Sequence, residues 1–393
     1  MMGFDIPLSA DAIADFALRL IRTPSPSGQE GGVARLVSEE MAKLGFKVQI
    51  DAFGNVIGTI SARPGPTVLL DAHMDTVGVS SPELWTRSPW GERVGDRIYG
   101  RGAMDMKGPL AAAIYGIAAL RGCLECGKVA VSATVAEELV EGPALERVAE
   151  WLRPDFVVIC EATSLKLARG QRGRAEVRVE VFGKPTHSSR PELGVNAAEA
   201  MVDVLRALRE LQPPYHPVLG PGILVLTDVK SDPYPGLSVV PDYCLATYDR
   251  RTLPGELEDD VVQPIRALAE RAIEGTGARV RITIAEDDFQ TYTGRRIVAP
   301  NFAPAWFFDE DAPIVAGAVE GLRQAGIAPE LSHYAFCTNG SGTAGRLGIP
   351  TIGFGPGHEE LAHRVDEYID VDELVLAARG YASIACQLVR LGG

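Results

Sequence analysis

The stretch Leu69-Leu70-Asp71-Ala72-His73-Met74-Asp75-Thr76-Val77 decides how the chain is read. Residues 67–72 form a short, largely apolar run with β-branched neighbours, the pattern of a buried strand, ending in a histidine and an aspartate two residues apart. Successive side chains on a strand alternate faces, so His73 and Asp75 emerge together at its carboxyl end. A metal-ligating imidazole needs such a neighbour, because a carboxylate accepting the other ring N–H fixes the tautomer. The same pair also fits a strand-end histidine bonded to a turn aspartate, with no metal involved.

Outward from this strand the pattern repeats. Residues 128–134 read as a strand that runs into Glu137-Glu138, and residues 156–160 as another that runs into Glu161. Helical spacing marks residues 9–21, 30–44, 109–121 and 142–152, and a hairpin over 47–60 turns at Gly54-Asn55. Alternating strands and helices predict an α/β fold with a doubly wound, mainly parallel sheet, whose ligands bind beyond the carboxyl ends of the strands. After Gly173 the texture changes. Residues 175–182 alternate valines with charged residues, as a half-exposed antiparallel strand does, and helices at 197–211 and 257–273 mix with strands near 223–229, 244–249 and 279–285. The helix at 313–325, strand at 351–354 and helix at 371–388 resume the first pattern. The expected organisation is a first domain built from residues 1–174 and 298–393, interrupted by an α+β insert over 175–297.

At 393 residues the chain is long enough for two domains. Its formal net charge of −14 disfavours nucleic acid and anionic membranes as partners and points to small molecules or peptides. Arg169, Arg172, Arg174 and Arg178 near the domain junction are expected to be paired within the protein rather than to bind nucleic acid. Residues 1–16 carry Asp5, Asp11 and Asp15 and no basic segment followed by an apolar one, so a cytoplasmic enzyme is expected. Six cysteines make no disulfide scaffold, and the C-x-x-C of Cys123 and Cys126 is read as incidental thiols.

The residues at the strand ends form a candidate metal set: His73, Asp105, Glu138, Glu161 and His363. Two zinc ions roughly 3.5–4 Å apart fit such a set if one carboxylate bridges them, and Asp105, at a helix start, suits the bridge. Glu137 is then left over, and a carboxylate beside a ligand can take a proton from the attacking water. His358 rivals His363 as the ligand from the loop over residues 355–367.

Taken together, His73-Met74-Asp75, Gly100-Arg101-Gly102 through Asp105-Met106-Lys107-Gly108, Glu137-Glu138, Glu161 and Gly355-Pro356-Gly357 through Ala362-His363 resemble the motif set of one family. It is the co-catalytic metallohydrolase family of acetylornithine deacetylase, succinyl-diaminopimelate desuccinylase, aminoacylase and glutamate carboxypeptidase. The resemblance implies that His73 and Glu161 hold one zinc, Glu138 and His363 the other, and Asp105 bridges, with cobalt or manganese as possible substitutes. It implies that Asp75 orients His73, that Glu137 is the general base, and that the insert is a lid through which the chain forms a homodimer. His187, in Gly183-Lys184-Pro185-Thr186-His187-Ser188-Ser189, matches the histidine that stabilises the oxyanion in the other subunit's site. Arg251 matches the arginine that grips a substrate carboxylate, with adjacent Arg250 as the alternative. Ser238 and the Thr338-Asn339-Gly340-Ser341 stretch depart from the family pattern in regions expected to contact substrate, Asn339 among them. Thr338-Asn339-Gly340 and Gly170-Gln171-Arg172-Gly173 also resemble a subgroup often labelled selenium-metabolism hydrolases. The expected activity is a dinuclear zinc-dependent amide hydrolase, a deacylase or carboxypeptidase acting on a small acyl amino acid or short peptide with a free carboxylate. An aminopeptidase or dipeptidase is the rival reading, and a catalytically silent binding protein a more distant one.

Overall fold

The computed structural model describes residues 8–391, so the first seven residues of the stretch read for a targeting signal lie outside it. Along the chain come α1 (Ala10–Ile21), α2 (Gly31–Lys43), β1 (Lys47–Ile50), β2 (Val56–Ser61), β3 (Arg63–His73), β4 (Glu92–Val94), β5 (Arg97–Tyr99) and α3 (Gly108–Ala118). β6 (Cys126–Thr134), α4 (Pro143–Leu152), β7 (Phe156–Ile159), β8 (Leu167–Gln171), β9 (Gly173–Phe182), α5 (Ala197–Leu208), β10 (Ile223–Asp232), β11 (Tyr243–Thr252), α6 (Glu258–Ala272) and β12 (Arg279–Ile284) follow. The chain ends with β13 (Trp306–Phe307), α7 (Pro313–Gln324), β14 (Leu331–Tyr334), β15 (Thr351–Gly353), β16 (Tyr368–Asp370) and α8 (Val371–Leu388).

Two compact units result. The first holds the chain up to Gln171, Asp288–Val298 and the chain from Trp306; the second holds Arg172–Asp287 and Ala299–Ala305. In the first, a nine-stranded sheet runs β1-β2-β6-β3-β7-β15-β8-β13, with β14 also paired to β8. Its centre, β6-β3-β7-β15, is parallel, while β1, β2, β8 and β13 pair antiparallel toward the margins. Both faces are covered, which is why the central strands read as nearly continuous apolar runs. Leu70, Val129, Val131 and Ile352 pack in one cluster with Leu110 and Ile114 of α3 and Tyr381 of α8. Leu69, Ala130 and Val157 pack on the opposite face with Leu145 and Val148 of α4.

β8 and β14 are absent from the sequence reading. Leu167-Ala168-Arg169-Gly170-Gln171 is buried along its length, yet its arginine and glutamine hide the apolar signature of an inner strand. β4 joins β5 and β16 in a separate three-stranded sheet. β15 leaves the sheet close against β7. A Cβ on Gly355 would lie 2.3 Å from the Glu161 carbonyl, so only glycine lets the 355–363 segment pass this near.

The second unit is an antiparallel sheet in the order β10-β11-β9-β12. Strict alternation of burial along β11 turns Cys244, Ala246 and Tyr248 inward, where they pack with Val177 and Val179 of β9, Met201 and Val204 of α5, and Ile265 of α6. β10 lies at the sheet edge and exposes Val225, Leu226 and Val229. Among the described residues no helix is long and apolar enough to cross a membrane.

Candidate metal centre

Because β3, β6, β7 and β15 are parallel, their carboxyl ends share one edge of the sheet. The register sets His73 beside Thr134 and Asp71 beside Ile159, so the residues that follow β6 and β7 emerge next to His73. Beyond β6 the chain bends through a left-handed Ala136 (φ 59°). That bend turns the N–H groups of Glu137 and Glu138 onto Asp75, which accepts one on each carboxylate oxygen at 3.1 Å. The Ser27 hydroxyl donates to the same carboxylate at 2.7 Å. Burial works to raise the Asp75 pKa, but the contact with His73 and these hydrogen bonds hold it below the usual range.

With its proton on Nδ1, His73 donates to the Asp75 backbone carbonyl at 2.9 Å, and the Asp75 Oδ1 lies farther away at 3.4 Å. The nearer acceptor is thus the carbonyl rather than the carboxylate that the sequence pattern suggests. Either way Nε2 keeps its lone pair for a ligand.

Asp105 lies in the Ala103–Lys107 segment ahead of α3. Pairing of β16 with β5 delivers Glu367 beneath this segment. Its Oε1 accepts the N–H of Met104 at 2.9 Å and of Asp105 at 3.2 Å, and Arg101 donates to its Oε2 at 2.5 Å. Burial, with Asp105 adding, pushes the Glu367 pKa up to about 7 despite Arg101. So held, Asp105 presents Oδ1 to the His73 Nε2 at 3.0 Å and Oδ2 to the His363 Nε2 at 3.3 Å.

Two groups that could each hold a metal ion follow, His73–Asp105–Glu161 and Asp105–Glu138–His363, each with its donor atoms within 4.8 Å of one another. Glu161 Oε1 lies 3.4 Å from the His73 Nε2 and Glu138 Oε2 lies 3.0 Å from the His363 Nε2. The Val77 N–H fixes the other Glu138 oxygen at 3.2 Å. His363 sits on left-handed backbone (φ 60°), a conformation that non-glycine residues hold at a cost of order 1–3 kcal/mol. His358 is engaged elsewhere: its Nδ1 lies 2.8 Å from the Ser164 hydroxyl, and its Nε2 lies 3.7 Å from Glu373.

Glu137 belongs to neither group, although its Oε2 comes within 3.8 Å of the His73 Nε2. Burial above all, with Glu161, Glu141 and Glu138 adding, drives its pKa well up against the pull of His73. Glu161 is pushed up to about 7, again chiefly by burial, while His73 opposes. A buried cluster in which carboxylates outnumber imidazoles is short of positive charge, and its nitrogen and oxygen donors suit divalent metal ions. The residues present fit two such ions.

The remaining candidates lie elsewhere. Asn339 is buried: its amide donates to Asp71 at 3.0 Å and Thr134 at 3.1 Å, and its carbonyl accepts the Gly142 N–H at 2.8 Å. Those contacts are all internal, so its surroundings support a scaffold role in place of the expected substrate contact. Thr338 donates to Gln171 at 2.6 Å, which joins the two stretches resembling the selenium-labelled subgroup. In the second unit, burial alternation along β11 separates Arg250 from Arg251. Arg250 is buried against Glu256, while Arg251 is partly exposed and pairs with Asp249 at 2.8 Å. His187 is exposed, its Nδ1 2.8 Å from the Ser189 hydroxyl. Of the four junction arginines, Arg169, Arg174 and Arg178 each pair with a carboxylate. Sequence reasoning missed Glu367, Ser27 and the Val77 N–H. Only Glu367 left a trace, standing at the end of the segment that carries His363.

The chain is similar to known proteins over most of its length. The model of peptidase family M20/M25/M40 matches residues 69–387. The uncharacterized protein YgeY of Escherichia coli K12 is 36% identical, the match covering 94% of this chain and 92% of that one. Succinyl-diaminopimelate desuccinylase 2 of a Ruegeria species is 28% identical over 90% of this chain and 89% of its own. A tripeptidase from Staphylococcus aureus shares the fold with a TM-score of 0.77 at 20% identity, covering 98% and 99% of the two chains.

Glu367→Ala leaves the buried Arg101 without its partner and the Asp105 N–H without its acceptor. A loss of folding stability on the order of 3–5 kcal/mol is expected, together with weaker metal retention. Urea unfolding and elemental analysis check both, and a variant as stable and as metal-rich as wild type would refute the assigned role.

Proposed function

The chain belongs to peptidase family M20/M25/M40, and from that premise we propose that it is a two-metal hydrolase of amide bonds acting on N-acyl amino acids or short peptides with a free carboxylate. The observation that carries the reading is Asp105, shared by two ligand groups, with Glu137 beside them and outside both. In this proposal His73 and Glu161 hold one ion, Glu138 and His363 the other, and zinc is the native metal. When bound, such ions supply Lewis-acid polarisation of the scissile carbonyl and acidify the attacking water. Glu137 takes the proton released as the water attacks and delivers it to the leaving amine. Asp75 supports both tasks, since it holds the Glu137 backbone and borders His73. Likeness to a desuccinylase over nearly the whole chain supports the deacylase form of the reading.

The exposed apolar residues of edge strand β10 support a homodimer formed through the second unit, because an unpaired strand edge invites a second chain. Within that dimer His187 donates to the developing oxyanion of the other subunit's site. Arg251 receives the substrate carboxylate in its planar fork, exchanging its present partner Asp249 for the ligand.

Three outcomes are expected. Glu137→Gln protein retains about two divalent ions per chain yet loses on the order of 10²–10⁴ in turnover; loss of metal would make Glu137 a ligand instead. Arg251→Met weakens kcat/KM for N-acyl amino acids by roughly 2–4 kcal/mol, and amidating the substrate carboxylate costs wild type a similar amount and the variant little. Equal hydrolysis of amidated and free-acid substrates by wild type would move the aminopeptidase reading ahead. Finally, His187→Ala and Glu137→Gln proteins, each inactive alone, regain activity when their subunits are exchanged, because one hybrid site then has both groups. No recovery after exchange proven by mass measurement would assign His187 a role within its own subunit.

A further inference from the structure

The turn that follows β6 is held by side chains with no part in the proposed reaction. Four successive backbone N–H groups each meet a side-chain acceptor from elsewhere in the chain: Val135 donates to Asn55 at 3.0 Å, Ala136 to Glu30 at 3.1 Å, and Glu137 and Glu138 to Asp75 at 3.1 Å each. Glu30 is the unexpected member. It is fully buried, rare for a glutamate; its Oε1 accepts both the Ala136 N–H and the Gly28 N–H, the latter at 3.0 Å, while Oε2 is buried with no hydrogen-bond partner. Burial above all, with Asp75 adding, pushes its pKa up to about 7 against the pull of these N–H groups. The residue it grips, Ala136, holds the left-handed backbone (φ 59°) that a side chain with a Cβ disfavours. Glu30 stands at the start of α2, whose Val33, Val37 and Met41 are buried, so its carboxyl projects from a packed helix rather than a free loop.

On the reading of Glu137 as the proton carrier, on which this role rests, we propose that Glu30 is its positioning residue: by accepting the Ala136 N–H it fixes the left-handed bend and with it the direction in which the Glu137 carboxylate projects. Glu137 depends on its backbone more than Glu138 does. The Val77 N–H fixes a Glu138 oxygen at 3.2 Å, whereas no hydrogen bond among the described residues holds the Glu137 carboxylate, whose Oε2 lies 3.8 Å from the His73 Nε2. The work falls to one acceptor oxygen and not to charge, because Oε1 makes both bonds and Oε2 none. An amide of the same length keeps that oxygen in place, and a shorter carboxylate withdraws it. Misplacing a reacting group by about 1 Å costs on the order of 10²-fold in rate.

The test uses the zinc-loaded full chain and, as substrate, whichever of a panel of N-acetyl amino acids and free dipeptides wild type hydrolyses fastest. Glu30→Gln, which keeps the reach and loses the charge, should hold kcat within about threefold of wild type. Glu30→Asp, which keeps the charge and loses the reach, should lose about 10²-fold in kcat, with KM little changed and zinc content as in wild type by elemental analysis. Added to Glu137→Gln, Glu30→Asp should slow the reaction no further, because the carboxylate it positions is already gone. Equal kcat for Glu30→Gln and Glu30→Asp, whether fast or slow, would overturn the proposal. So would a kcat loss in Glu30→Asp that comes with lost zinc, or a double variant slower than Glu137→Gln by the full factor. Should Glu30→Asp fail to fold, Glu30→Met, similar in length and lacking the oxygen, carries the same expectations, and a slow Glu30→Gln alone still overturns the role. Wild-type turnover in Glu137→Gln, or no hydrolysis of any panel member by wild type, would instead defeat the reading of the site, and the role of Glu30 with it.

Discussion

The Asp75 carboxylate is the contact on which the geometry of the centre depends. It is fully buried, and it joins three segments that are distant in sequence: its oxygens accept the Glu137 and Glu138 N–H groups and the Ser27 hydroxyl, while His73 lies against it. One side chain therefore sets the bend after β6, the seat of His73 and the approach of the Ser27 loop. A ligand group tolerates little misplacement, and this kind of support from outside the ligands makes the difference between residues that are present and residues that are positioned.

Asp105 receives the same treatment from a different source. Its carboxylate is pulled two ways by imidazoles on either side, and the backbone beneath it is pinned by Glu367, itself held by Arg101. Acidic groups thus outnumber basic ones at the centre, and what keeps the arrangement together before any ion is considered is backbone N–H donation. Partial charges of peptide groups do here what full counter-charges would otherwise have to do.

The parallel centre of the sheet was legible because burial on both faces forces continuous apolar runs, as in residues 67–72 and 156–160. The residues of the two candidate groups could be singled out because each ends such a run or stands in a segment of marked resemblance. What escaped was of two kinds. β8 hid behind Arg169 and Gln171, whose polarity is satisfied by partners from beyond Trp306, so that its burial depends on residues far away in sequence. Asn339 misled for the same reason in reverse: an amide in a stretch expected to meet substrate is bonded instead to Asp71, Thr134 and Gly142. A polar residue's partners are set by tertiary proximity, which no local pattern encodes.

The pairing of β7 with β15 bears on how the molecule is made. Ile159 meets Gly353, so the central sheet waits through roughly 190 further residues, on the order of 10–40 s of ribosomal synthesis, before this parallel pair can close. The two ligand groups differ in the same respect. His73, Asp105 and Glu161 all precede the second unit in the chain, whereas the group of Asp105 and Glu138 is incomplete until His363 has been translated. During that interval the nascent chain carries one finished set of donors, an unfinished one, and a sheet edge at β7 still without its neighbour. Such an exposed edge on a slow, long-range topology is a place for misassociation until residues 351–353 arrive to cover it.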